Sequence, residues 1–242
     1  PGWPCRFGSG TTNPPDAEAS SMAYDGPTQL YIDGEWTDAA SGETLETYDP
    51  ATEEPYAEVA AAGPEDVDRA VEAAEAASAH DSEWSRMGPG ERGQHLHAMA
   101  DAIEAMDEEI GLVESHDNGK TPFEASIDIG MVVDTFRYYA GWTDKIQGDT
   151  IPVDGPRLNY TRREPLGVTA HISPWNYPFQ LAGRSLAPAL AAGNTAILKP
   201  SSETPLSALY YAKAAEEADE TDPEYRRLRE ECTPTCSSRG TP

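Results

Sequence analysis

From Leu30 the chain alternates: Leu30-Tyr-Ile-Asp-Gly-Glu-Trp36 puts apolar and polar side chains on opposite faces, with Asp33-Gly34 at its centre. That pattern predicts a short hairpin. Two further strands are predicted, from Thr44 to Tyr48 and from Tyr56 to Ala60, with a turn at Asp49-Pro50. At Gly63 the period changes from a strand's two to a helix's roughly 3.6. Pro64 stands in the first turn with Glu65 and Asp66 at the positive end of the dipole, and Val67, Ala70, Val71 and Ala74 form one apolar face. A second helix is predicted from Glu91 to Ser115, with Leu96, Met99, Ala100, Ile103 and Ile110 inward, closed by Asp117-Asn118-Gly119. A third opens on Thr121-Pro122-Phe123-Glu124, a capping box with Pro at the first helical position. It carries Ala125, Ile129, Val132, Val133 and Phe136 on one side.

The next stretch, 148–163, has extended character. Thr150-Ile-Pro-Val153 and Leu158-Asn-Tyr-Thr-Arg162 flank Asp154-Gly155-Pro156, and such prolines suit edge strands or a protruding ribbon. Leu166 to Ile172 shows no alternation, which predicts a strand buried on both faces. A helix follows Pro178 through Leu181, Leu186 and Leu190 to Gly193-Asn194. Thr195 to Leu198 reads as a second buried strand, and Thr204-Pro205 begins a helix to about Ala218. The order β-α-β-α starts a doubly wound parallel sheet, so the fold class is α/β.

Composition first argues against this picture. Leu, Ile, Val and Phe make up 34 of 242 residues, and 43 acids face 17 bases for a net charge of −26. Chains below about 20% in those four residues with high net charge are typically disordered. Three capped amphipathic helices are not a disordered chain, and 34 alanines can line helix interfaces. The charge repels nucleic-acid phosphates and anionic lipid, and no apolar run approaches the roughly 20 residues of a membrane span. Neither a nucleic acid nor a membrane partner is expected. The acids are scattered and Lys is scarce, four against 13 Arg, as in a surface kept soluble at high salt. Cys5, Cys232 and Cys236 offer no disulfide framework, and no metal site is expected at Cys232-x-x-x-Cys236, which has no neighbouring His. Residues 1–21 are rich in Pro, Gly, Ser and Thr without an apolar leader segment. They read as a disordered extension, and a cytoplasmic location is expected.

The excess of acid is not uniform. Residues 151–200 hold Asp154 and Glu164 against Arg157, Arg162, Arg163, Arg184 and Lys199, a local +3. Within this stretch and just beyond it, two segments follow the two predicted parallel strands: Ser173-Pro-Trp-Asn-Tyr-Pro178 and Lys199-Pro-Ser-Ser-Glu-Thr-Pro205. Ligands of open α/β sheets bind outside the carboxyl ends of the strands. An amide at Asn176, an ammonium at Lys199 and two hydroxyls can hold a phosphate or ribose and donate to a developing oxyanion. The alternative is an ordinary strand-to-helix turn, with Asn176 capping, Pro178 opening the helix and Lys199 solvated.

Glu164-Pro-Leu-Gly-Val-x-x-x-Ile-x-Pro-Trp-Asn-Tyr-Pro178, Leu186-Ala-Pro-Ala-Leu-Ala-Ala-Gly-Asn-Thr195 and Leu198-Lys-Pro-Ser-x-x-Thr-Pro205 resemble the aldehyde dehydrogenase superfamily. Tyr31-Ile-Asp-Gly-Glu-Trp36, Tyr48-Asp-Pro-Ala-Thr52 and Asp117-Asn-Gly-Lys-Thr121 agree, so the resemblance covers about residues 28–218. It implies an aldehyde substrate, NAD or NADP as cofactor, and Asn176 as a donor to the thiohemiacetal oxyanion. It also implies a cofactor lining of Ile172, Ser173 and Trp175, Lys199 on the adenosine ribose, and an oligomerisation ribbon at 148–164 that pairs subunits. The fold implied is the N-terminal part of that family's fold: an incomplete NAD(P)-binding domain from 22–147 and 165–218, with the ribbon protruding.

Three departures matter. Ser202 stands where the family often has a Glu that accepts from the ribose 2′-hydroxyl, which removes repulsion against a 2′-phosphate; NADP is expected to be tolerated or preferred. Ser185, beside Arg184, stands where many members have Lys, and takes no role. The later Glu-Leu-Gly-Gly base and the Cys nucleophile do not occur, and Cys232 and Cys236 lack the flanking sequence. The resemblance therefore implies an inactive fragment with an unrelated disordered tail over 219–242, or a non-catalytic subunit that pairs with an intact homologue.

Overall fold

The hairpin at Asp33-Gly34 forms because both residues accept positive φ, 54° and 75°, the conformation a two-residue primed turn requires. It joins β1 (Leu30–Ile32) to β2 (Glu35–Thr37), and β3 (Thr44–Asp49) pairs with β4 (Glu54–Ala60) as a second antiparallel ribbon. The computed structural model describes residues 24–221; the expected extension at 1–21, the tail beyond 221 and all three cysteines lie outside the described residues.

The helices follow in order: α1 (Pro64–Ser78), α2 (Glu83–Arg86), α3 (Pro89–Ala105), α4 (Asp107–Asn118) and α5 (Pro122–Ala140). Thr121 caps α5 as its sequence predicts: its Oγ1 accepts from the Glu124 N–H, and the Glu124 carboxylate accepts from the Thr121 N–H. The single helix expected from Glu91 to Ser115 is instead two, broken at Met106 (φ −103°, ψ 15°). Asp107, Glu108 and Glu109 follow the break; three acids together favour a new positive helix end there. The apolar face expected on α1 is also only partly right. Val67 is 51% exposed, whereas Ala74 is buried where α1 meets the later strand Thr195–Lys199, its carbonyl accepting from the Thr195 hydroxyl at 3.0 Å.

The arm carries β5 (Thr150–Ile151) and β6 (Asn159–Tyr160), an exposed antiparallel pair. Then β7 (Val168–Ile172) and β8 (Thr195–Lys199) pair in parallel across α6 (Pro178–Ala191), and α7 (Leu206–Thr221) runs past the expected stop at Ala218. Burial on both faces does not hold for β7. Leu166 is 89% and Ile172 78% exposed, because among the described residues the strand has one neighbour and helices cover only part of it.

The core sits between α3, α4, α5, α6 and α7. Leu96, Ile103, Ile110, Val132, Phe136, Phe179, Leu206 and Tyr210 are buried there, and Ala100, Ala182, Ala187 and Ala214 are wholly covered. Alanine thus does line the interfaces. Gly183 is needed where α5 meets α6: a Cβ would stand 2.9 Å from Val132 Cγ1 and 2.5 Å from the Tyr211 hydroxyl. Tyr211 donates to the Phe179 carbonyl at 2.6 Å and stacks on its ring at 4.6 Å.

Candidate functional site

Parallel pairing puts the two strand-end loops side by side. The last register pair is Ile172 with Lys199, and the Ser173 N–H extends the ladder by donating to the Lys199 carbonyl at 3.1 Å. Ile172, Ser173, Trp175, Asn176, Lys199 and Ser202 therefore emerge from one end of β7 and β8. Five of them are exposed; Ser173 is buried, and its Oγ has no hydrogen-bond partner. Buried hydroxyls without partners are uncommon; Thr47 and Ser207 carry the others among the described residues.

The capping role that Asn176 had as an alternative is ruled out locally. The N-cap of α6 is Tyr177, with no side-chain cap bond, and Pro178 occupies the first turn as expected. Asn176 makes no side-chain hydrogen bond to any described residue. The Lys199 ammonium turns back to the Pro200 carbonyl at 2.9 Å. Ser201 accepts from the Glu203 N–H at 3.3 Å, which leaves the exposed Ser202 and Glu203 on one short turn. Ser185 bonds within its own helix, to the Ala182 carbonyl at 2.9 Å.

Sequence reasoning missed the scaffold behind these loops. Asn118 Nδ2 donates to the Trp175 carbonyl at 2.7 Å, and the buried Thr204 donates to the same oxygen at 3.4 Å. The Lys120 ammonium lies 5.0 Å from the Tyr177 ring centre. It is nearly buried, 2.6 Å from Glu114 and 2.8 Å from Asp128. The Glu114 contact is close but poorly angled, and neither Glu114 oxygen has a well-formed hydrogen bond; charge, more than directional bonding, holds that pair. Burial alone would lower the Lys120 pKa, but the Glu114 charge and the Asp128 hydrogen bond outweigh it and raise it. Asp117 accepts from the Leu206 N–H at 3.0 Å, and burial pushes its carboxyl up to about 7, with Glu114 adding to the rise. The signal for this scaffold was the motif Asp117-Asn-Gly-Lys-Thr121, read from sequence only as a helix end and a point of resemblance.

The free groups at the strand ends are an amide, an ammonium and hydroxyls, which suit an anionic or hydroxylated ligand and a developing negative charge. The fold agrees with the comparisons. The chain matches the Aldehyde dehydrogenase family over residues 36–223, and it belongs to that family. It is 47% identical over 192 residues to the mitochondrial aldehyde dehydrogenase of Equus caballus, covering 78% of this chain and 38% of that enzyme. The aldehyde dehydrogenase of Bacillus cereus in its NAD+ complex superposes with a TM-score of 0.77 at 46% identity, covering 79% of this chain and 39% of the other. A betaine aldehyde dehydrogenase variant of Staphylococcus aureus in complex with NAD+ superposes at 0.76 with 36% identity, covering 79% of this chain and 39% of the other. The chain spans about two fifths of the length of these relatives.

The cytoplasmic expectation is corrected by these findings. The horse relative and its rat counterpart, 46% identical, are mitochondrial by name. A stretch without a leader pattern does not decide where a protein of this kind resides. No helix among the described residues is long and apolar enough to cross a membrane.

Proposed function

We propose that the chain forms the N-terminal part of an NAD(P)-dependent aldehyde dehydrogenase, holding the dinucleotide at the carboxyl ends of β7 and β8. The observation that carries this is the pairing of a buried, unpartnered Ser173 hydroxyl with an exposed, unbonded Asn176 amide at one strand end. The residues fit the cofactor. Ile172 and Trp175 offer apolar surface, Ser173 an unused hydroxyl, and Lys199 with Ser202 the polar contacts of a ribose. The nicotinamide, when bound, would accept a hydride from the substrate. Asn176 would donate its amide N–H to the oxygen of an aldehyde under attack, and removal of one such donor typically costs about 10²–10³ in kcat.

The base and nucleophile of the family lie outside the residues that match here, so the 242-residue chain alone is expected to form no NAD(P)H from aldehydes. Aldehyde-dependent absorbance at the reduced-nicotinamide band with purified chain overturns that expectation. Ser202 leaves room for a 2′-phosphate, and NADP+ is expected to compete with NAD+. A preference for NAD+ above about tenfold, roughly 1.4 kcal/mol, contradicts this. Ser202→Glu should shift binding toward NAD+.

A second reading has its own support in the arm. Leu158 is 75% and Tyr160 62% exposed on a two-stranded ribbon with free edges, and such edges pair readily. The segment 148–164 is proposed to join subunits, and a non-catalytic chain could pair this way with an intact homologue. Co-purification with such a homologue that is lost on Leu158→Asp supports it.

A further inference from the structure

We propose that Asn118 is a positioning residue that fixes the Trp175–Asn176 peptide and so aims the Asn176 amide. The role of Asn176 rests on the function proposed above; the anchoring by Asn118 does not. Residues 173–177 lie between the end of β7 and the start of α6, and the ladder reaches only to the Ser173 N–H. The Trp175 carbonyl takes part in no backbone ladder or helix bond among the described residues. It is met instead by two side chains from different elements, Asn118 at the last position of α4 at 2.7 Å and Thr204 ahead of α7 at 3.4 Å. A peptide unit is planar, so fixing its oxygen also fixes the N–H of the following residue. Holding Trp175 O therefore fixes the plane of the peptide leading into Asn176 and the direction of its backbone N–H. On the other side Tyr177 is held over the Lys120 ammonium. Asn176 is thus held at both neighbours while its own side chain bonds to no described residue, as preorganised donors require.

The anchor is itself fixed. Gly119 follows it with φ +80°, and a Cβ there would stand 2.7 Å from Pro50 Cγ. The preceding Asp117 is tied to the first residue of α7.

The test uses the 242-residue chain labelled with 5-fluorotryptophan, with the Trp175 signal assigned by Trp175→Phe. Asn118→Asp keeps the side chain's size but replaces the donor with an acceptor facing a carbonyl. Its Trp175 resonance is expected to move and to broaden or split. Thr204→Val should give a smaller shift in the same signal, and Gln29→Glu, which alters a distant exposed amide bond to Asp38, none. A Trp175 signal that superimposes on wild type in both Asn118→Asp and Thr204→Val overturns the proposal. If Asn118→Asp does not fold, Thr204→Val decides alone. Adding NAD+ to the wild-type chain separates the two claims: an unresponsive Trp175 signal counts against the proposed cofactor site, while the variant spectra still decide the anchor.

Discussion

Two neighbouring parts of the molecule treat their polar groups in opposite ways. At the α4–α5 junction, Asp117, Asn118 and Lys120 each bond to another part of the chain and Thr121 caps α5, although Asp117 Oδ1 is left without a partner. At the ends of β7 and β8, the side chains of Ser173 and Asn176 bond to no described residue, and Lys199 reaches only its neighbour. Satisfied polar groups define a single geometry, and groups without partners are available to a ligand. The difference separates the part that positions from the part that would bind, and it says which substitutions should unfold the protein and which should leave it intact.

The largest expected effect is at the buried cation. Lys120→Met leaves the Glu114 and Asp128 carboxylates buried without their ammonium, a loss of about 3–5 kcal/mol, read as a fall in the urea midpoint. An unchanged midpoint would show that the loop is not the rigid partner. Gly119→Ala comes next. It places a side chain at φ +80° and against Pro50, at a cost of about 1–3 kcal/mol.

Asp117 gives a smaller, pH-dependent effect. Its carboxyl is raised from 3.8 to about 7 by burial and by Glu114, so between those values the folded state binds the proton more tightly than the unfolded chain. Stability from this group is complete below the unfolded value and is lost as pH rises toward 7, at roughly 1 kcal/mol per pH unit. Asp117→Asn keeps an acceptor for the Leu206 N–H and should flatten the fall in denaturation midpoint between pH 5 and 7. A fall of equal steepness in the variant assigns it to other groups. The smallest effect is expected in the binding part. Asn176→Ala should change stability by no more than about 0.5 kcal/mol; a large loss would mean that Asn176 is structural after all.

Much of the scaffold was legible because its signals are local. Thr121, Pro122 and Glu124 announce α5 within four residues, and the apolar period of Ile129, Val132, Val133 and Phe136 completes it. The break at Met106 was not, since neither Gly nor Pro marks it and the apolar phase runs on from Ile103 to Ile110. Val67 fits a helix period, but periodicity does not say how far a neighbouring layer reaches. The exposed ends of β7 escaped for the same reason. At the candidate site the binding loops could be read directly, as contiguous segments after strands. Their support could not, because Asn118 and Trp175 are 57 residues apart and their pairing exists only once α4 has packed against α5 and α7.

The central claim is that the unbonded groups at the ends of β7 and β8 receive a dinucleotide. Photolabelling the chain with an azido derivative of NAD+, followed by peptide mapping with and without excess NAD+, tests it most directly. Protectable adducts confined to residues 172–178 and 199–205 are predicted; adducts that excess NAD+ does not remove, or that fall elsewhere on the chain, would contradict it.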